Sequence, residues 1–295
     1  MRSLFLLTGT NETIKYVDSL RILGHGPVDA VRYDEPTSSD QVLLGKVREF
    51  APDFIVYIGS RWGLQPSISC LSYINEKVAP MIHMCSDAAD TPWFDLLRDY
   101  HQAGCFALQV AIDGSQRWPL AGTQMTALTP VDSASFPHGN RPHKERGVAA
   151  GYGGNAGGGP GTKRTEFLSS LLSARVIAMR ARPNLPTTYD AYCDFLQNCR
   201  ISVNTAHTGT EAAMHVKGRV IESGLAGACL LEPKGSPTSY WFRPGMDYLE
   251  YESPTDAVAI IQRLAHEPEK TQSIGQSLRR RVLDAHTPTH FWSRI

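Results

Sequence analysis

Short apolar runs alternate with amphipathic stretches along the first half of the chain. The apolar runs have the length of strands and lie at residues 3–8, 28–33, 53–59, 79–85 and 105–112. Between them, apolar residues recur every three or four positions, as expected of helices. The predicted helices lie at residues 11–24, 39–50 and 93–104. This alternation predicts parallel strands covered by helices on both faces of a sheet.

The same rhythm restarts after a polar stretch. Residues 132–146, DSASFPHGNRPHKER, hold two prolines and no apolar period, and therefore predict a linker. Beyond it, strands are predicted near 147–151, 176–180, 201–204, 228–231 and 247–251, and helices at 162–173, 188–199, 216–225 and from 255 onward. The sequence thus predicts two Rossmann-like domains, 1–138 and 139–295. A last helix with Leu278, Val282 and Phe291 could return to the first domain.

Composition and charge narrow the possible functions. The 295 residues carry 29 Lys and Arg and 29 Asp and Glu, so the net charge is zero and the usual basic footprint of a nucleic-acid-binding protein is missing. No apolar run approaches the roughly 18 residues of a transmembrane helix. The six cysteines form no CxxC motif and the histidines form no HExxH motif, which indicates a reducing cytoplasm and gives no support for a metal site.

A glycine-rich segment, GYGGNAGGGPGTKR at residues 151–164, lies between a predicted strand and a predicted helix. Glycines such as Gly153 and Gly154 let a backbone approach a phosphate closely, and a helix start favours anions. Lys163 and Arg164 lie in the first helical turn, where cations oppose the helix dipole. An anionic ligand would explain them, and a flexible surface loop is the alternative.

A second candidate segment runs from Asn204 to Glu232 through a polar loop, a helix and a buried strand. Lys217, Arg219 and Glu222 gather where the helix begins, and Arg219 and Glu222 share a face because they are three residues apart. A surface ion pair is one interpretation. The other is a nucleotide site, in which Glu222 accepts hydrogen bonds from a ribose diol and the basic residues meet a diphosphate.

Three stretches in this half resemble a known family. They are KGRVIESGLAGACLLE at 217–232, FRPGMDYLEY at 242–251 and AHT at 285–287. Together they resemble the C-terminal half of GT-B glycosyltransferases, and most closely the CgeB/YkvP-like group of family 1-type transferases. The resemblance covers about residues 147–290. It implies the GT-B fold, with two Rossmann-like domains facing each other across a cleft.

The resemblance also implies residue roles. Glu222 corresponds to the glutamate that binds the donor ribose, Arg219 to the arginine one turn before it, and the glycine loop with Arg164 to the donor-phosphate loop. Many retaining GT-B enzymes carry a glutamate eight residues before the ribose-binding one. That position is Met214 here, and Glu211 is out of register. The stereochemical outcome therefore stays open.

Further candidates follow from position at strand ends. In an inverting reaction the catalytic base would come from the first domain, where Asp87, Asp90 and Asp113 follow two predicted strands. Each could equally be a solvated or capping aspartate. His207 lies on a polar loop and could donate to a phosphate or a sugar hydroxyl. His83, inside an apolar strand, is expected in the core. Two tryptophans near strand ends could stack on a sugar or fill the core: Trp62 and Trp93.

These observations lead to one expected function and two alternatives. The expected enzyme moves a sugar from a nucleoside-diphosphate sugar, bound by the C-terminal domain, to an unidentified acceptor, which could be a glycan, a protein or a small molecule. Arg, Lys and helix N–H groups would stabilise the leaving diphosphate without a metal or another cofactor. The alternatives are a GT-B nucleotide-sugar epimerase and a non-catalytic module that binds sugar nucleotides.

Overall fold

The chain forms two compact units in a computed structural model. The structure describes residues 1–7, 14–24, 26–33, 39–59, 65–114, 123–154, 161–181 and 188–295. The first unit comprises Met1–Val131 and Phe291–Ile295, and the second comprises Asp132–His290. Within the described ranges, no helix has the length and apolar character needed to cross a membrane.

The first unit is built on a sheet of six parallel strands in the order β2-β1-β3-β4-β5-β6. The strands are β1 (Ser3–Leu7), β2 (Val28–Arg32), β3 (Phe54–Ile58), β4 (Met81–Cys85), β5 (Leu108–Ala111) and β6 (Gln124–Thr126). The helices are α1 (Ile14–Arg21), α2 (Asp40–Phe50), α3 (Ile68–Lys77) and α4 (Thr91–Gln102). The central strands are buried on both faces, which explains why they read as continuous apolar runs.

Local sequence signals set several helix ends in this unit. Ser39 and Ser67 cap α2 and α3, each accepting a hydrogen bond from an N–H of the first turn. The core is aromatic between β3, β4 and α4. There, His83 is fully buried against Phe106, with ring centroids 4.6 Å apart. The prediction that His83 is a core residue is confirmed, and burial lowers its pKa to about 3.

The second unit has five parallel strands in the order β11-β10-β9-β7-β8. The strands are β7 (Val148–Gly154), β8 (Ala178–Ala181), β9 (Cys199–Val203), β10 (Cys229–Pro233) and β11 (Leu249–Tyr251). The helices are α5 (Lys163–Ser173), α6 (Tyr189–Asn198), α7 (Gly218–Leu225), α8 (Pro254–Leu264) and α9 (Pro268–Ala285), and α10 (Pro288–Trp292) begins in this unit and ends in the first. The chain builds β8 on one side of β7 and β9 on the other, so the strand order reverses between β7 and β9. Sheets of this class bind ligands at such a point.

The polar stretch 132–146 differs from the linker that its composition predicts. Two short 3-10 turns, Ser133–Ser135 and His143–Glu145, form part of the second unit. The ring of His143 is hydrogen-bonded to Thr271 and to the Gly227 carbonyl, both at 2.8 Å. The buried Arg146 donates to four backbone carbonyls. These bonds satisfy the polar groups of a segment that lacks an apolar period.

The end of the chain is divided between the units. Leu278 and Val282 of α9 lie in the second unit, where they pack against Gly224 of α7. Phe291 and Trp292 belong to the apolar cluster of the first unit, and the indole N–H of Trp292 donates to Ser19 at 3.0 Å.

Candidate active site in the second unit

A cavity of about 610 Å³ opens at the carboxyl edge of the second sheet. The start of α5, the loop after β9 and the ends of β10 and β11 form its wall. Residues along this wall include Lys163, Arg164, Thr205, His207, Met214 and Lys234. The cavity therefore lies where parallel strands of this class bind ligands, and its wall carries three lysine or arginine residues and two glutamates, Glu166 and Glu252.

The start of α5 gives the cavity its positive end. Thr162 caps the helix by accepting from the Thr165 N–H, and Lys163 and Arg164 follow in the first turn. Cations are unfavourable at the positive end of a helix dipole, and a bound anion would offset this repulsion. The Arg164 guanidinium also donates to the His207 carbonyl at 3.3 Å, which ties α5 to the loop after β9.

The loop after β9 folds back on itself. His207 and Met214 form an antiparallel bridge, and Glu211 between them takes a left-handed conformation at φ 60°. The Glu211 carboxylate accepts from the Arg164 backbone N–H at 3.4 Å. Burial lowers the pKa of His207, and the nearby Lys163 lowers it further, so a neutral imidazole is favoured in this setting.

Arg219 spans the point at which the strand order reverses. Its guanidinium carbon lies 4.3 Å from the centre of the Tyr152 ring on β7, and one nitrogen donates to Asn204 just beyond β9 at 2.6 Å. A side chain at Gly154 would collide with this guanidinium. Burial opposes its charge, but the tyrosines beside it and Glu222 raise the pKa of Arg219 above its ordinary value. Arg219 therefore stays cationic.

A buried acidic group fixes Asn204 in turn. The Asn204 amide nitrogen donates to Glu232 at 2.7 Å, and the same carboxylate accepts from Ser236 and Thr238 at 2.8 and 2.9 Å. Burial raises the pKa of Glu232, while these donors favour its charged form. Sequence reasoning assigns Glu232 no role. The sequence feature that could have identified it is a glutamate at the end of an otherwise apolar strand.

Glu222 lies on α7, four residues after the first residue of the helix, and is only 4% exposed. Its two carboxylate oxygens accept from Tyr189 and Tyr192 of α6. It lies outside the wall of the cavity, while Arg219 on the same helix is close enough to interact with it electrostatically. Neither tyrosine is singled out by the sequence, because about 30 residues separate α6 from Glu222.

The structure thus brings six of the predicted residues of the second unit to one edge of its sheet, in two groups. Arg164 and His207 line the cavity. Arg219 and Asn204 bond to each other at the strand reversal, and Gly153 and Gly154 end β7 beside them. Lys217 occupies the N-cap position of α7. Residues 155–160 of the glycine segment lie outside the described residues.

The three aspartates predicted in the first unit also lie at strand ends. Asp87 and Asp90 belong to the turn after β4, and Asp113 follows β5. Asp113 is 1% exposed and accepts from the Ala89 N–H at 3.0 Å, so it holds that turn. Asp90 precedes α4 and is 4% exposed. Asp87 is the least buried of the three.

Of the two tryptophans proposed from the sequence, one lies in the core and the other is not described by the structure. Trp93 is 7% exposed and packs in the apolar core of the first unit, so it is a core residue. Trp62 lies outside the described residues. Among the residues that the structure describes, no group of three His, Cys, Asp or Glu side chains is arranged to hold a metal ion.

Comparison with known proteins agrees with this geometry. Residues 164–295 match the model of a family described as glycosyl transferase-like. The chain also superposes on HepE from Anabaena in complex with UDP and glucose, with a TM-score of 0.65 and 14% identity, over 100% of this chain and 98% of that one. The chain has the GT-B fold, and its residues 164–295 carry a glycosyl transferase-like domain. Among curated proteins, none matches the sequence.

Other solved structures share this fold. A glycosyltransferase from Rickettsia africae gives a TM-score of 0.63 at 9% identity and covers 99% of this chain and 96% of its own. Sucrose-phosphate synthase from Thermosynechococcus elongatus gives 0.64 at 9% identity, over 100% and 98%. The prediction of two Rossmann-like domains with the GT-B fold is therefore confirmed.

Proposed function

We propose that this enzyme transfers a sugar from a nucleoside-diphosphate sugar held by its second unit to an acceptor held by its first. The observation that carries the proposal is the cavity at the carboxyl edge of the second sheet, with Lys163 and Arg164 at the start of α5. HepE, which has the same fold, has been crystallised with UDP-glucose. The sequence motifs of residues 217–232 support a place near the CgeB/YkvP-like group.

Each predicted donor residue receives a role in this proposal. Arg164, Lys217 and Arg219 bind the diphosphate, which needs cations that keep their charge. His207 donates to a phosphate or a sugar hydroxyl from the cavity wall. Asn204 holds Arg219. Glu222 binds the ribose hydroxyls, and Gly153 and Gly154 keep the end of β7 free of side chains that would fill the same space.

The same cations support a reaction without a divalent metal. The leaving nucleoside diphosphate develops negative charge as the glycosidic bond breaks, and preorganised Arg, Lys and helix N–H groups can stabilise it. The half-buried Arg219 keeps its charge and supplies one such group beside the strand reversal. We propose no cofactor other than the sugar-nucleotide co-substrate.

A first prediction concerns metal dependence. UDP should bind the purified enzyme with the same affinity in magnesium and in excess EDTA, because side chains and helix N–H groups supply the positive charge. Thermal shift and calorimetric titration measure this, and a ligand at 100 times its dissociation constant should add about 2.7 kcal/mol of stability. GDP, ADP and CDP in parallel identify the base. Affinity that disappears with EDTA and returns with magnesium would contradict the metal-free site.

In an inverting transfer, the first unit supplies the catalytic base. Asp87, Asp90 and Asp113 are its three candidates, and we favour Asp87. The other two are buried and hold local structure, since Asp113 accepts from Ala89 and Asp90 leads into α4. A base must reach the acceptor hydroxyl, which a less buried carboxylate can do.

A second prediction follows for Asp87. In Asp87→Asn, turnover should fall about 10²- to 10⁴-fold, the usual contribution of a general base, while the dissociation constant for UDP stays unchanged. Release of UDP from the nucleotide sugar measures turnover, and titration measures binding. Asp99→Asn, an exposed change on α4, is the matched control. Full turnover in a folded Asp87→Asn enzyme would remove Asp87 from the mechanism.

We also propose a cytoplasmic location. All six cysteines are buried, and none forms a disulfide. This pattern is typical of proteins that fold in a reducing compartment, where thiols remain reduced.

A further inference from the structure

Two tyrosines of α6 donate hydrogen bonds to the carboxylate of Glu222. The Tyr189 hydroxyl donates to one oxygen at 3.1 Å, and the Tyr192 hydroxyl donates to the other at 2.7 Å. A ribose would offer the same groups to the same oxygens, because its diol presents two adjacent hydroxyl donors. The enzyme therefore already makes, within its own chain, the contacts that a ribonucleotide would make with Glu222.

The two tyrosines are held differently. Tyr192 packs against β7 so tightly that a Cβ on Gly153 would lie 2.7 Å from its ring, and Arg219 lies beside it. Tyr189 is the first residue of α6, makes the longer bond to Glu222, and stacks on Tyr192 with ring centroids 6.0 Å apart. A first helical residue is the least constrained by its own helix, since helix ends fray. Of the two, Tyr189 can leave Glu222 at lower cost.

We propose that Tyr189 is a displaceable gate on Glu222 and that Tyr192 is a positioning residue that keeps the carboxylate oriented. This inference rests on the ribose role proposed for Glu222. A carboxylate can accept about four hydrogen bonds, so Tyr192 and a ribose can share Glu222 once Tyr189 has moved away. Burial and the carboxylate together raise the pKa of both tyrosines, which keeps them protonated and able to donate.

The two roles predict opposite effects for the same chemical change. Tyr189→Phe removes a bond that must break before a ribose can bind, so the affinity for UDP should rise about threefold to tenfold, the equivalent of one hydrogen bond. Tyr192→Phe removes a bond that orients Glu222 in the complex, so the affinity for UDP should fall by a similar factor. Calorimetric titration of UDP into the wild-type enzyme and each variant measures both changes.

Inorganic pyrophosphate separates the gate from a general structural effect. It carries the phosphates of UDP and no ribose, so Tyr189→Phe should bind it as the wild type does. Equal changes for UDP and pyrophosphate in Tyr189→Phe would contradict the gate. If Glu222→Gln weakens UDP binding while Tyr189→Phe leaves it unchanged or weaker, the gate is wrong and the ribose role stands. If Glu222→Gln binds UDP like the wild type, the ribose role is wrong, and the gate with it.

Discussion

Replacing Arg219 with methionine is expected to reduce the turnover of the nucleotide sugar about 10²- to 10³-fold. Removing one preorganised group that stabilises developing negative charge typically has an effect of this size. Arg219 is rigid, because it stacks on Tyr152 and donates to Asn204. A group already fixed at the strand reversal needs no reorganisation when the diphosphate leaves, so its loss should lower kcat more than it raises KM.

A second variant distinguishes the loss of the Arg219 guanidinium from a loss of the fold. Arg219→Lys keeps the positive charge but loses the planar fork, so it should bond Asn204 less well and recover only part of the lost turnover. Melting temperatures of both variants report on folding. Arg281→Met, an exposed change on α9, is the matched control and should behave like the wild type. Wild-type turnover in a folded Arg219→Met enzyme would show that another group stabilises the leaving diphosphate.

Replacing Glu222 with glutamine is expected to weaken UDP binding about tenfold to a hundredfold. Glutamine offers one neutral carbonyl in place of two charged oxygens, and a hydrogen bond to a charged group contributes roughly 1.5–3 kcal/mol. The fold should survive, because the glutamine carbonyl can still accept from Tyr192. Turnover at saturating donor should change less than the dissociation constant.

The control for this experiment is Glu269→Gln, an exposed glutamate in the first turn of α9. It removes the same charge from the second unit at a site far along the chain from α7, and UDP affinity should stay at the wild-type value. Unchanged UDP affinity in a folded Glu222→Gln enzyme would show that Glu222 does not bind the ribose. In that case the ribose would bind elsewhere.

The apolar pattern predicts the sheets well because the strands are central and parallel. Strands β3 and β10 are buried on both faces, and so they stand out as continuous apolar runs. The pattern does not predict β6, a three-residue strand at the edge of the first sheet, which extends the sheet through pairing with β5. It also gives no prediction of α3, a ten-residue helix between β3 and β4.

The candidate site likewise contains residues that the sequence predicts and contacts that it does not. Arg164, His207 and Arg219 can be proposed from sequence, because they lie at strand ends or helix starts within a short stretch of chain. The contact of Tyr192 with Glu222 joins helices separated by about 30 residues, and only the tertiary fold creates it. The bonds of Arg146 to backbone carbonyls are equally invisible in the sequence, because every residue offers the same carbonyl.

Hydrogen exchange with and without saturating UDP tests the central claim most directly, because it locates the bound nucleotide on the chain. The expected result is slower exchange in the second unit, at the end of β7, the start of α5, the loop after β9 and α7, with the sheet of the first unit unchanged. The account is contradicted if protection falls on the turn after β4 and spares the second unit, or if none of UDP, GDP, ADP and CDP changes exchange at any of these segments.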